Sequence, residues 1–426
     1  MKLLIKNGRI IDPRSNLDDT LDILIDKGRI ADIKSQIRSD GTKEIDASRL
    51  VVAPGFIDMH VHLREPGYEY KETISTGGAA AAAGGFTTIA CMPNTKPVND
   101  SRGVTEFILS EAKRSSPVNI LPIAAITRAL DGNVLTDMAD LLDAGCTAFS
   151  DDGMPVMSSQ IMRRALEYSK ISDFLIIDHC EELSLSGQGV MNEGPNSYRF
   201  GLRGIPSTAE EVMVARDCIL AGKAGARIHI AHASTRGTTE ILEWAKSKNI
   251  RVTAEVTPHH LLLNDSSVKT FDTNFKMSPP LRNENDVKAM TAAVKSGLID
   301  VFVTDHAPHS PDEKDVEFDQ APNGIIGLET AVPLLLDRLV NQKIISLNQL
   351  ITMFSTKPAE VLGLKNKGRI AVGADADFTL LNLHKSTTIQ VDKFRSLSRN
   401  SPFNGWKLKG IPAYTIVGGK VVHGEK

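Results

Sequence analysis

No block of lysine or arginine interrupts this 426-residue chain, and its net charge is only -3. The electrostatic footprint of a nucleic-acid or acidic-membrane binder is therefore missing. Cysteine is scarce as well. The four that occur, Cys91, Cys146, Cys180 and Cys218, stand singly with no Cys-x-x-Cys pair, which argues against a disulfide framework or a zinc knuckle and fits a reducing compartment. No apolar stretch is long enough to cross a bilayer, and the start Met1-Lys2-Leu3-Leu4-Ile5-Lys6-Asn7-Gly8 is interrupted too early for a signal peptide, so a cytoplasmic protein is expected. What is present, 41% hydrophobic and 24% charged residues, is the composition of a soluble globular enzyme with a small-molecule ligand.

The two ends share one texture. Residues 1–52 read as short alternating strands punctuated by turns, with Asn7-Gly8 and Lys27-Gly28 supplying turn chemistry. Residues 366–426 repeat the pattern and finish in a hairpin about Gly418-Gly419. Neither end has enough strands to bury a face, so the two are expected to meet in one β-sandwich. In the centre, 53–365, eight strand candidates (56–62, 87–92, 119–126, 146–152, 174–179, 227–232, 251–257 and 300–305) alternate with helical stretches. Among these are 158–170, 208–221 with Ser207 as N-cap, 237–248 and 284–296. Alanines 79–83, flanked by glycine pairs, predict a closely packed helix before the second strand. An α/β fold follows, a (β/α)8 TIM barrel in preference to an open doubly wound sheet.

The most informative residues close the first barrel strand. His60 and His62 stand at i and i+2, so two imidazoles can converge on one cation while Val61 points elsewhere. A half-buried polar strand end would look the same in isolation, but the pattern recurs. Asp151-Asp152 ends the fourth strand, His179 the fifth, His232 the sixth and Asp305-His306 the eighth. In a barrel those ends converge on one mouth. Four histidines and two carboxylates, without a thiolate, suit one or two zinc ions. A two-metal hydrolase needs a bridging group, and 146–153 contains no lysine to carbamylate, so a carboxylate must bridge. Asp305 also sits where it can take a proton from an attacking water and pass it to a leaving nitrogen.

Five strings carry a family resemblance: Pro54-Gly55-Phe56-Ile57-Asp58-Met59-His60-Val61-His62-Leu63-Arg64-Glu65-Pro66-Gly67, Met92-Pro93-Asn94-Thr95, Asp178-His179-Cys180-Glu181, His232-Ala233-Ser234 and Thr304-Asp305-His306-Ala307-Pro308-His309. Together they resemble the dihydroorotases of the amidohydrolase superfamily, bacterial class I type. The resemblance implies a metal-dependent barrel beside a composite β-sandwich. It also implies zinc-dependent, reversible cyclisation of N-carbamoyl-L-aspartate to L-dihydroorotate and water in pyrimidine synthesis. By position it implies His60 and His62 as ligands of one zinc, Asp305 as a further ligand and the catalytic base, His179 and His232 as ligands of a second zinc, and Asp152 as the bridge. Asp151 is then left to cap or orient.

The same resemblance implies Arg64, Asn94 and His309 on the substrate's α-carboxylate, with Ser278, Pro322 and Gly324 about the ring. Ser278 stands where the family commonly has asparagine, and Asn323 where it often has an aromatic residue. A homodimer is expected, with association to aspartate transcarbamoylase left open. Two alternatives stand beside this reading. Another cyclic amidohydrolase, a hydantoinase or allantoinase, is disfavoured by the lysine-free fourth strand and by Arg64; a catalytically silent partner of the transcarbamoylase would lack metal ligands, and none is missing here. Of the other histidines, His229 is expected by parity to face the helices, His259 and His260 to stand behind the site, and His384 and His423 to lie on the surface of the β module. Residues 308–324 read as a lid.

Overall fold

The computed structural model describes residues 2–424; the expected β module extends to Met1, Glu425 and Lys426, which lie outside the described residues. Five strands open the chain: β1 (Lys2–Asp12), β2 (Leu17–Asp26), β3 (Arg29–Lys34), β4 (Lys43–Asp46) and β5 (Val51–Pro54). Lys27-Gly28 turns between β2 and β3 as expected, with both residues at positive φ, 50° and 78°. This is the turn whose twist suits a hairpin. Asn7-Gly8 does not turn. β1 runs straight through it, and the pair forms a bulge where the register against β2 slips between Ile5 and Gly8, with Asn7 at φ 59°. The apolar residues on either side, Leu3 to Ile5 and Ile10 to Ile11, are all buried, and only a continuous strand keeps both groups in the core. Gly8 is required there because a Cβ would lie 2.5 Å from the Val52 side chain.

The centre supplies β6 (Phe56–Val61), β7 (Phe86–Cys91), β8 (Asn119–Ala124), β9 (Ala148–Ser150) and β10 (Leu175–Asp178). A short ladder of β11 (Met191–Asn192) with β12 (Gly204–Ile205) follows, and then β13 (Ile228–Ile230), β14 (Val252–Val256) and β15 (Val301–Phe302). Apart from that ladder these strands pair in parallel in the order β6 to β15. The Val61–His306 bridge, with His62 N donating to His306 O at 2.8 Å, joins the last strand back to the first. The barrel is therefore closed. All eight expected strands occur, and all but β7, which keeps its length one residue earlier, are shorter than their sequence runs, because the polar residues at their C-terminal ends leave the ladder and turn into the mouth. Helices Ser159–Ser169, Thr208–Ala224, Arg236–Ser247 and Glu284–Ser296 lie where expected. Ser207 occupies the cap position but makes no side-chain cap bond. Its backbone is already helical at φ -60° and ψ -31°, whereas a capping side chain reaches back from an extended residue.

The last strands, β16 (Phe378–Thr388), β17 (Lys407–Val417) and β18 (Lys420–Gly424), join the first five in one sheet. β5 is the seam, pairing antiparallel with β16 and parallel with β1. Its far edge is brought back to the segment before β16 by the Arg29–Asp375 bridge, enclosing a core of Leu3, Ile5, Ile23, Phe378, Leu380 and Ile416 that is separate from the barrel's. In the barrel, Phe56, Phe86 and Phe302 gather round Phe354 at centroid distances of 5.3–5.5 Å, while Ile57, Met59, Ile123, Ile177 and Val301 fill the layer inside the strands. The small-residue helix Ile74–Gly84 packs as the alanine run predicts: a Cβ at Gly84 would lie 2.0 Å from the carbonyl oxygen of Leu328.

Candidate metal centre

Asp58 stitches the first barrel strand to the last. Its carboxylate accepts from Thr304 N at 3.2 Å, from Thr304 Oγ1 at 2.6 Å and from His60 N at 3.1 Å. That brings the ends of β6 and β15 into one corner. His62 Nε2 lies 3.1 Å from Asp305 Oδ1 and 3.4 Å from Asp152 Oδ2, and His60 Nε2 lies 3.3 Å from Asp152 Oδ1 and 3.5 Å from Asp305 Oδ1. From the opposite side, His179 Nδ1 and His232 Nε2 approach Asp152 Oδ1 at 3.7 and 3.6 Å. The six residues thus form one constellation about Asp152. Ligand atoms of His60, His62 and Asp305, and of His60, Asp152 and His232, lie within 4.8 Å of one another in each trio.

The donor set fits a divalent cation. His60 Nε2 and Asp152 Oδ1 are buried without a hydrogen-bond partner, a costly arrangement unless something else coordinates them. Although burial opposes it, His60 holds a proton well above the usual imidazole range because Asp152, Glu255 and Asp305 surround it. Burial likewise opposes ionisation of Asp152 and Asp305, yet the neighbouring histidines hold both carboxylates well below their ordinary range. A cation would take the place of that proton. Two of the six residues sit in the left-handed region, His232 at φ 29° and Asp305 at φ 46°, backbone strain of the kind that clusters at functional sites.

Each of three histidines has its second ring nitrogen held. His62 Nδ1 bonds Asn94 Oδ1 at 2.9 Å, His179 Nε2 bonds Glu181 Oε2 at 3.1 Å, and His60 Nδ1 bonds Glu255 Oε1 at 2.6 Å. Such partners fix the tautomer and aim the coordinating nitrogen. Glu255, on β14 and fully buried, escaped the sequence reading. It also accepts from His232 N at 3.0 Å and pairs with His229 Nε2 at 3.0 Å. Burial would raise its pKa, but the charge of His60 and the bonds from His229 and His60 bring it down to about 2.

His229 therefore corrects the parity expectation: it points into the barrel towards Glu255, with Nδ1 on Thr253 Oγ1 at 2.7 Å. Parity failed because it was counted from His232, which lies beyond the last residue of β13, where the alternation no longer runs. The available signal was the alternation Thr253, Glu255 along β14, which puts a carboxylate on the inner face of an otherwise apolar strand. Asp151 faces away from the constellation, accepting from Ile126 N at 2.8 Å and Thr127 N at 3.0 Å. Of the histidine pair, His260 donates to Pro279 O at 2.9 Å and so supports the loop that carries Ser278, while His259 is buried with Nε2 unpartnered.

Comparisons with known proteins agree over the whole chain. A dihydro-orotase-like family model matches residues 48–238 and an amidohydrolase family model matches 222–423. The chain is 50% identical over 424 residues to a dihydroorotase from Geobacter metallireducens and 51% identical over 424 residues to one from Citrifermentans bemidjiense, covering 99% of this chain and 100% of each relative. The chain belongs to the dihydroorotase family. Among solved structures, an L-hydantoinase from Arthrobacter aurescens matches with a TM-score of 0.89 at 26% identity over 99% of this chain and 96% of its own. A D-hydantoinase from Thermus sp. gives 0.83 at 27% identity over 98% and 94%. Barrel and composite β module together are thus matched over nearly the whole chain by both hydantoinase structures.

Above the histidine–aspartate constellation lies a cavity of about 250 Å³. Arg64, Asn94, Ser278, His309 and Gly324 line it, together with Glu181 and Asn323. Pro322 does not line it. Its carbonyl accepts from Lys314 Nζ at 2.8 Å, and the same ammonium reaches Thr273 O at 3.0 Å and Lys276 O at 3.4 Å. Three carbonyls on one buried lysine turn Pro322 away from the cavity and pin the segment 308–324 to its neighbour. Ser278 donates to Glu181 Oε2 at 3.3 Å, so the serine hydroxyl links the cavity wall to the carboxylate that holds His179. Arg64 donates from Nε to Pro308 O at 3.2 Å, and His309 donates from Nε2 to Asn323 O at 2.8 Å.

Replacing Glu255 by glutamine leaves His60 without its carboxylate and should weaken divalent-cation affinity about 10- to 100-fold. Metal content after dialysis against graded chelator measures this; retention equal to wild type would show that packing alone aims His60.

Proposed function

We propose that this dihydroorotase closes N-carbamoyl-L-aspartate to L-dihydroorotate and water, and reopens the ring, with zinc held by His60, His62, Asp152, His179, His232 and Asp305. The observation that carries the reading is a cavity with the histidine–aspartate constellation at its base and an arginine, Arg64, in its wall. A cation at the base and a fixed guanidinium beside it suit a small cyclic amide bearing a carboxylate. When bound, zinc supplies positive charge that draws electron density from the carbonyl under attack and favours hydroxide over water near neutral pH.

The chain's own residues do the rest. His60, His62 and Asp305 would hold one ion and His179 and His232 a second, and Asp152 lies between the two groups. In ring opening, Asp305 takes the proton of the attacking water and delivers it to the ring nitrogen as the C–N bond breaks. In ring closure, with the side-chain carboxyl of the substrate protonated, it takes the proton from the carbamoyl nitrogen and returns it to the departing hydroxyl, which leaves as water. Arg64, always charged, pairs with the α-carboxylate. Asn94 has its oxygen committed to His62 and so offers its amide hydrogens. His309, whose Nε2 already donates to Asn323 O, turns Nδ1 towards the cavity side near Glu313 and donates from it to the substrate carboxylate only as the imidazolium, the form an incoming anion favours. Ser278 and the backbone at Gly324 bound the ring.

A cytoplasmic location is part of the proposal. Its support is that all four cysteines are free and buried and that, among the described residues, no helix is long and apolar enough to cross a membrane. A homodimer, and association with aspartate transcarbamoylase, rest on the family resemblance. Sedimentation velocity of the protein alone should show a dimer, and a faster boundary on mixing with the transcarbamoylase would show the complex; a monomer alone would reject the first and an unchanged boundary on mixing the second.

Asp305→Asn should lower turnover of L-dihydroorotate by about 100- to 10,000-fold, followed by ultraviolet absorbance; near-normal turnover would remove it as the base. With no lysine in 146–153, metal-stripped protein should regain activity on adding zinc alone. A requirement for bicarbonate as well would contradict the carboxylate bridge.

A further inference from the structure

The connection between β16 and β17 leaves the β module and runs back to the barrel mouth. Along it, Ser398 Oγ donates to Lys71 O at 2.7 Å, and Leu397 N donates to the buried carboxylate of Glu72 at 3.1 Å. Glu72 in turn bonds His306 Nε2 at 3.2 Å, next to Asp305. The tightest grip is that of Asn400, which is only 4% exposed. Its Nδ2 donates to Ala307 O at 2.9 Å and to Gly324 O at 3.1 Å, and its Oδ1 accepts from His309 N at 3.2 Å. Both amide hydrogens and the amide oxygen are thereby committed to main-chain groups of three residues that line the cavity.

We propose that Asn400 is a positioning residue for the carboxylate-binding wall: it clamps the entry and exit of the 308–324 segment so that His309 and the Gly324 backbone face the substrate. This rests on the dihydroorotase reading above. Asn400 is not itself on the cavity wall, so it acts through the backbone it holds. Only a side-chain amide meets the pattern, because one acceptor must face an N–H while two donors face carbonyls. Aspartate would set a carboxylate against two carbonyl oxygens, and alanine would leave three buried main-chain groups unpaired. The two clamped stretches are in close contact, since a Cβ at Gly324, whose φ is 121°, would lie 2.5 Å from the Ala307 Cβ. A separate bond from Ala307 N to Ile325 O at 2.8 Å keeps them together, so loss of the clamp should loosen the wall without unfolding it.

The test compares wild type, Asn400→Ala, Asn400→Asp and Ser398→Ala as zinc-loaded proteins in L-dihydroorotate ring opening, with zinc content measured alongside. Both Asn400 variants should raise KM roughly tenfold or more, with kcat and zinc content changed by no more than about threefold. An unchanged KM in Asn400→Ala, or a loss of kcat and zinc with KM unchanged, would overturn the proposal. If the Asn400 variants fail to fold, Ser398→Ala should show the same KM shift on a smaller scale, and an unshifted KM there counts against the clamp. If wild type itself does not open L-dihydroorotate, it is the functional reading that falls. Amide hydrogen exchange then still decides the clamp: the His309 amide should exchange faster in Asn400→Ala, and equal exchange would overturn it.

Discussion

Glu255 is the buried charge on which the centre depends. One carboxylate oxygen takes both the His60 ring and the His232 backbone, and the other takes His229. Sealed from water, such a carboxylate is tolerable only with both oxygens engaged, and the imidazoles that engage it are thereby fixed in direction. His60 can then present Nε2, and no other atom, to Asp152 and Asp305. The unpartnered atoms left over, His60 Nε2 and Asp152 Oδ1, mark where the protein's own hydrogen bonding stops and a cation's coordination would begin.

Around that fixed centre the chain places walls that come from far apart in sequence. Arg64 follows the first barrel strand, Ser278 follows the seventh and His309 follows the eighth, yet all share one cavity. Their loops are held less by barrel hydrogen bonds than by single polar side chains that each collect several backbone groups. Lys314 collects three carbonyls and Asn400 two carbonyls and an amide. The β module, whose sheet is sewn from both ends of the chain through β5, is more than a support for the barrel, because it also delivers the segment that carries Asn400. Loops anchored in this way keep their geometry while still presenting donors to a ligand, as a site selective for a small charged substrate requires.

Much of this was legible before any coordinates. Apolar runs, five of them ending in histidine or aspartate, located all eight barrel strands, because burial on both faces leaves little choice of residue until the strand reaches the mouth. The strand-rich ends announced a shared β-sandwich for the opposite reason, too few strands in either to bury a face, and the structure joins them through one sheet. The misreadings were local. Asn7-Gly8 carries the composition of a turn but forms a bulge, since turning there would have exposed residues that the core holds. Parity misplaced His229 because β13 stops at Ile230, two residues before the histidine from which parity was counted. Pro322 left the cavity because a buried lysine took its carbonyl.

By itself the sequence determined the types of group available to the chemistry and the order in which the strands present them: four imidazoles and two carboxylates at strand ends, and no lysine where a carbamate would form. Side-chain chemistry and alternation are properties of the chain read locally, so they survive without coordinates. Tertiary structure alone decided which of those groups face one another, that Glu255 and not a nearer residue orients His60, and that an asparagine some 340 residues after His60 holds the far wall of the cavity. Those pairings join residues distant in sequence whose meeting depends on barrel closure and on the path of the returning segment, and no periodicity within a window of sequence records them.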